Sequence, residues 1–168
     1  MICMNKTYTI KVSVKKQTLS LFKDGHIVKH FPVSTSKFGI SNKAGSNKTP
    51  LGLHKIVRKI GNGVPTGTVF VGRRNQGWVT PLLKKKPKVN QDRDRITTRI
   101  LRLRGLESEV NKGEGIDSYK RFIYIHGTLH EWLIGKPASH GCIRMRNRDI
   151  VKLFDIIPSG TMVLIENG

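Results

Sequence analysis

The chain has 168 residues, 37% hydrophobic and 25% charged, and its 31 Lys+Arg against 11 Asp+Glu give a formal net charge of +20. That composition excludes a disordered chain, and with no apolar run near eighteen residues it excludes a membrane-spanning helix. Two cysteines cannot build a disulfide scaffold, so the fold must rest on a hydrophobic core, which one domain spanning residues 1–168 is long enough to bury.

Tyr8, Ile10, Val12 and Val14 alternate with polar residues, the period of a half-buried strand. Leu19 and Leu21 continue the pattern, and Asp24-Gly25 is a hairpin turn into Ile27-Val28 and Phe31-Pro32-Val33. A Gly/Asn-rich loop over 39–47 leads into a strand after Thr49-Pro50-Leu51-Gly52, and Val69-Phe70-Val71 reads as a short strand. The Lys-rich stretch from Lys84 to Arg95 is expected to be an exposed excursion. Ile96 to Leu103 alternates again, with Ile96, Thr98, Ile100 and Leu101 or Leu103 facing inward, and Phe122-Ile123-Tyr124-Ile125 reads as a buried strand. One helix is expected near residues 148–157, with Asn147 as N-cap, Asp149 in the first turn, and Ile150, Val151, Leu153, Phe154 and Ile157 recurring at three and four. Pro158 and Gly160 end it before a closing strand over 161–165. Many short strands, glycine-rich turns and one helix predict a mainly β fold, a sandwich or barrel.

Chemistry concentrates in one segment. His126-Gly127-Thr128 follows the buried strand, and Ser139-His140-Gly141-Cys142-Ile143-Arg144-Met145 precedes the helix. A thiol nucleophile needs a base within hydrogen-bond reach and donors for an oxyanion. Cys142, the imidazoles of His126 and His140, and the backbone N–H groups around Gly141 could supply all three.

These residues resemble the L,D-transpeptidase catalytic domain of the YkuD type, with Asn147, Asp149 and Thr49-Pro50-Leu51-Gly52 extending the likeness over nearly the whole chain. The resemblance implies an L,D-transpeptidase-type β-sandwich or barrel in which Cys142 is the nucleophile. His126 would be its base, oriented through the Gly127 carbonyl. His140 and Gly141 would shape the pocket and oxyanion site, and Ser139 and Arg144 would face substrate, Arg144 pairing with a peptide carboxylate. It implies peptidoglycan stem tetrapeptides as substrate, loss of the terminal D-alanine, and 3–3 cross-linking or hydrolysis, without metal or organic cofactor. It also implies a cell-envelope or periplasmic setting. The first residues, Met1 to Lys6, lack the apolar segment of a secretory signal, so a cytoplasmic location stays open, and Cys3 reads as a free thiol.

Other readings stand beside these. Arg144 could instead salt-bridge Asp149 or Glu131, and His140 could serve only to keep the loop's shape. His126, His130, His140 and Cys142 form a conceivable zinc set, although the spacing matches no standard pattern. His26, His30 and His54 are expected at the surface, and Trp78 and Trp132 either line a groove or pack. Residues 1–60 hold 12 basic and 1 acidic residue, 61–104 hold 11 and 2, and 105–168 hold 8 of each. The excess therefore surrounds the candidate site rather than forming it. It fits an enzyme held on an anionic wall polymer; the alternative is a basic nucleic-acid-binding module that has kept the fold and repurposed the site.

Overall fold

In the computed structural model, which describes residues 7–82, 85–87 and 93–168, ten strands form one sheet. They are β1 (Tyr8–Ser13), β2 (Thr18–Lys23), β3 (His26–Ser34), β4 (Gly52–Ile60), β5 (Thr68–Val71), β6 (Arg74–Val79), β7 (Ile96–Gly105), β8 (Tyr124–Thr128), β9 (Ile143–Met145) and β10 (Met162–Glu166). The order β4-β10-β1-β2-β3-β9-β8-β7 closes on itself because β4 also pairs with β7, while β5 and β6 extend from β7 as a ribbon. Closure removes most free edges, which suits strands this short.

The expected alternation is realised in β1 and β2. Ile10, Val12, Leu19 and Leu21 are buried, and the β2–β3 turn has positive φ at both Asp24 (51°) and Gly25 (83°), the geometry that the right-handed twist of a two-residue hairpin requires. In β7 the alternation fails, because a register shift between Thr97 and Ile100 brings Thr97 through Leu103 all into buried positions. β8 starts two residues later than the apolar run suggests. Phe122 is 51% exposed and has a left-handed φ of 57°, so it ends the preceding turn rather than opening the strand.

The helix α1 (Asn147–Ile156) buries Ile150, Leu153 and Phe154 in the main core, against β7 and β8. Burial of such side chains contributes about 2 kcal/mol each. Its N-cap position is Arg146 rather than Asn147, and no side chain of its own caps it. Instead Glu131, in a 3-10 turn over Glu131–Leu133, accepts the Asn147 N–H at 2.7 Å, and the Asn147 amide turns inward to bond the sheet. At the other end Lys59 of β4 donates to the carbonyls of Phe154 (2.6 Å) and Ile157 (2.7 Å), closing the last turn with a cation.

Part of the positive excess is thus internal. Arg102 stacks 3.6 Å from the Tyr119 ring centroid, and Arg121 donates to the carbonyls of Ser41 (3.1 Å) and Lys48 (2.6 Å), tying the loop before β8 to the glycine-rich loop. His54, expected at the surface, is fully buried, bonded to Gly52 O and Ser118 Oγ, both at 2.9 Å. In β4 His54 alternates with partly exposed neighbours, so its side chain takes the inward face with Ile56, where the chain around Ser118 covers it. His26 and His30 are exposed as expected. Cys3, Lys84 and Lys88 lie outside the described residues. Among the described residues, no helix is long and apolar enough to cross a membrane.

Candidate functional site

The parallel pairing of β8 with β9 sets the site. Ile125 lies opposite Ile143 and His126 opposite Arg144, so Cys142, immediately before β9, comes to the end of the strand that carries His126. A cavity of about 150 Å³ is lined by Cys142, His126, Ser139, His140, Arg144 and Asp94. The thiol is half-buried and rests on a small apolar cluster of Phe70, Ile100 and Tyr124. Sγ lies 3.4 Å from the carbonyl of Phe122, the residue with the left-handed backbone.

The loop that presents the thiol is pinned on several sides. The backbone N–H groups of Ala138 and Ser139 donate to Thr35 O at 2.8 and 2.9 Å, and Lys37 N–H donates to Ser139 O at 3.1 Å. The Ser139 hydroxyl donates to Cys142 O at 2.6 Å and accepts the Gly141 N–H at 3.2 Å, so it clamps the turn from within. Thr49, fully buried, donates its hydroxyl to Gly141 O at 3.0 Å. Gly141 has φ +127°, and a Cβ there would lie 3.3 Å from Lys48 O, so glycine alone meets both demands.

His126 is 3% exposed, and its Nδ1 lies 2.6 Å from Gly127 O. A carbonyl can only accept, so Nδ1 carries the proton and Nε2 keeps its lone pair. At Gly127, a Cβ would fall 2.5 Å from Thr97 O and 2.6 Å from Asn147 Oδ1, which explains glycine after this histidine. Burial pushes the His126 imidazole below its ordinary range, against nearby Asp94 and the Gly127 carbonyl. Burial pushes the Cys142 thiol up, aided by Asp94 and opposed by the Tyr124 N–H, Arg144 and Arg121. Burial thus works against the charged form of both groups, the thiolate and the imidazolium. His140 is exposed; its imidazole is also pulled down, first by desolvation, then by Lys37 and Arg144.

A family model of the L,D-transpeptidase catalytic domain (YkuD) matches residues 7–165. The chain belongs to the L,D-transpeptidase catalytic-domain family. A putative L,D-transpeptidase YkuD of Bacillus licheniformis is 28% identical over 159 residues, covering 94% of this chain and 65% of the relative. A putative L,D-transpeptidase YqjB of Bacillus subtilis is 56% identical over 45 residues, 27% of this chain and 26% of that one. The chain thus spans under two thirds of these relatives' length. The structure of L,D-transpeptidase 3 from Mycobacterium tuberculosis in complex with a faropenem-derived adduct aligns with a TM-score of 0.58 at 16% identity, over 96% of this chain and 61% of that chain. At that identity the likeness shows the fold.

In this L,D-transpeptidase domain, Arg144 pairs with neither Asp149 nor Glu131. Its Nε lies 2.8 Å from Asp94 Oδ2, while Asp149 meets Arg148 and Glu131 meets Asn147. Asp94 falls in the stretch read as an exposed excursion, yet its side chain is 9% exposed. Nothing about an Asp in the run Asp92-Arg93-Asp94-Arg95 signals that role, because the partner comes from fifty residues downstream. Asn147 bridges the strands behind the site, its Oδ1 accepting the Thr97 and Thr98 hydroxyls and its Nδ2 donating to Thr128 O at 2.8 Å. Among the described residues, no group of three or more His, Cys, Asp or Glu is placed to hold a metal ion.

Two larger cavities flank the small one, and His140 lines all three. One, about 300 Å³, lies between the glycine-rich loop and residues 115–123. The other, about 730 Å³, is lined by Trp132, Pro137 and Ala138 together with the basic residues Lys37, Lys86 and Arg93. Trp132 lines this groove, whereas Trp78, in the outermost strand β6, is 44% exposed with Arg95 over its ring.

Proposed function

We propose that the chain is a cysteine-dependent L,D-transpeptidase acting on peptidoglycan stem tetrapeptides. The observation that carries this reading is the single cavity shared by Cys142, His126 and Arg144 at the β8–β9 junction. His126 Nε2 takes the thiol proton as Sγ attacks the carbonyl of the third stem residue. Backbone N–H groups of the Gly141–Cys142 turn receive the oxyanion. Collapse breaks the amide to the terminal D-alanine, which leaves as the amine with the proton from His126, and a thioester remains on Cys142. An amine of a second stem then attacks the thioester, giving a 3–3 cross-link and restoring the thiol. Water in that role gives an L,D-carboxypeptidase, and a protein lysine would anchor an envelope protein.

His126 acts as the general base, and burial, which disfavours both the thiolate and the imidazolium, suits a proton transfer made as Sγ attacks. Arg144 holds a substrate carboxylate, and Ser139 serves it by shaping the turn. The two flanking cavities support a reaction between two peptides, with His140 at their divide. All steps use groups of the protein itself. The enzyme works in the cell envelope, and its exposed basic residues keep it on the anionic wall polymer.

Incubation with purified tetrapeptide muropeptides, read by mass, tests the proposal. Dimers with loss of D-alanine mean transpeptidation, and loss of D-alanine alone means hydrolysis. Unchanged muropeptides, together with sequence-independent DNA binding of steep salt dependence, would favour the nucleic-acid-binding alternative.

A further inference from the structure

Asp94 is the one acid among the described residues that line the nucleophile's cavity, and neither the sequence motif nor the family match assigns it a role. Its place follows from register. Ile96, the first residue of β7, pairs with Thr128, the last of β8, so the chain two residues earlier lies beside the backbone just beyond β8. There Oδ1 accepts the Thr128 hydroxyl at 2.6 Å, the Leu129 N–H at 3.1 Å and the His130 N–H at 3.4 Å. The other oxygen, Oδ2, meets Arg144 Nε at 2.8 Å. One carboxylate therefore joins the turn that follows His126 to the arginine that follows Cys142. Arg144 is held on its Nε side by Asp94, while Nη1 reaches Ala138 O at 3.3 Å.

We propose that Asp94 is a positioning residue of this site: it aims the Arg144 guanidinium into the cavity and locks the end of β8, so that arginine and imidazole keep a fixed relation to the thiol. The inference rests on the L,D-transpeptidase reading for its substrate, but the geometry it concerns does not. A carboxylate in this place also acts on charge. It faces Arg144, His126, His140 and Cys142 across the cavity, with Lys37, Lys86 and Arg93 around the adjoining groove. It raises the thiol and both imidazoles relative to a site holding Arg144 alone. Asp94 thereby offsets the pull of Arg144 toward the thiolate, which makes the thiol less open to adventitious alkylation than it would be beside an unpaired arginine.

The test uses the whole protein and the variants Asp94→Asn, Asp94→Glu, Arg144→Gln and Asp94→Asn/Arg144→Gln, with two readouts. In the first, iodoacetamide alkylation of Cys142 is followed against pH. Asp94→Asn keeps an oxygen for Thr128 and the two N–H groups but loses the charge, so alkylation should speed up about threefold at pH 7 and its midpoint should move to lower pH. Asp94→Glu should stay near wild type in midpoint. In the second, acylation by a tetrapeptide donor is measured. Asp94→Asn should lose about tenfold in second-order rate, and the double variant should be no slower than Arg144→Gln alone, because both changes disable one unit.

An alkylation midpoint unmoved in Asp94→Asn, or losses that add in the double variant, would overturn the proposal and leave Asp94 a purely structural tie. Should the wild type fail to react with any donor, the transpeptidase reading falls instead, and the alkylation profile alone still decides the role of Asp94.

Discussion

Asn147→Asp changes one atom at the junction between helix, sheet and site. In the wild type this side chain is fully buried, and its Nδ2 donates to Thr128 O at 2.8 Å and to Glu131 Oε1 at 2.7 Å. The variant puts an oxygen opposite both acceptors. Losing a donor to a charged carboxylate costs about 2 kcal/mol, and losing one to a buried carbonyl that finds no other partner costs a further 1–3 kcal/mol or so, a total of about 4 kcal/mol. For a chain of this size that corresponds to a fall in Tm of roughly 10 °C. The introduced carboxyl sits beside Glu131 and out of water, so its folded pKa lies above the unfolded value of about 3.9. The folded variant therefore binds a proton more tightly than the unfolded chain, and its deficit relative to wild type should shrink as pH falls and grow as pH rises. Denaturant unfolding of both proteins between pH 5 and 8 measures this. A deficit under about 1 kcal/mol at neutral pH, or one that ignores pH, would refute the bridging role given to this amide.

His126→Ala should lower acylation of Cys142 by roughly 100- to 10,000-fold, as loss of a general base typically does; near-normal acylation would move the base role to His140. His54 is held at a pKa of about 4 by burial, against an ordinary 6.5. Folding thus favours its neutral form. Its stabilising share is whole above pH 6.5 and is lost as pH falls toward 4, by about 3 kcal/mol. Unfolding titrations in which His54→Gln keeps the same acid slope would contradict this.

The sequence was most informative where one physical demand acts alone. Strands β1 and β2 have one face in the core, so alternation survives, and the helix carries its apolar face openly at three- and four-residue spacing. β7 is covered on both faces and bulged, which erases the period, and β6, with both faces exposed, has no pattern to read in Arg74 through Val79. The chemical segment was legible because Cys142, His126 and their glycines are local to two short stretches. What holds those stretches is not local. Thr49, Asp94 and Asn147 act on partners 92, 34–50 and 16–50 residues away in the chain, so their roles appear only once β7, β8 and β9 lie side by side. The same holds for charge. A count of lysines and arginines cannot tell Lys59, which closes the helix, or Arg144, which faces the cavity, from the solvated majority.

The acyl-enzyme at Cys142 is the centre of this account, and the intact mass of the protein after exposure to a carbapenem-type β-lactam tests it most directly. The wild type should gain the mass of one opened β-lactam and Cys142→Ala should gain none. An unmodified wild type, or an alanine variant that takes up the same mass, would contradict it.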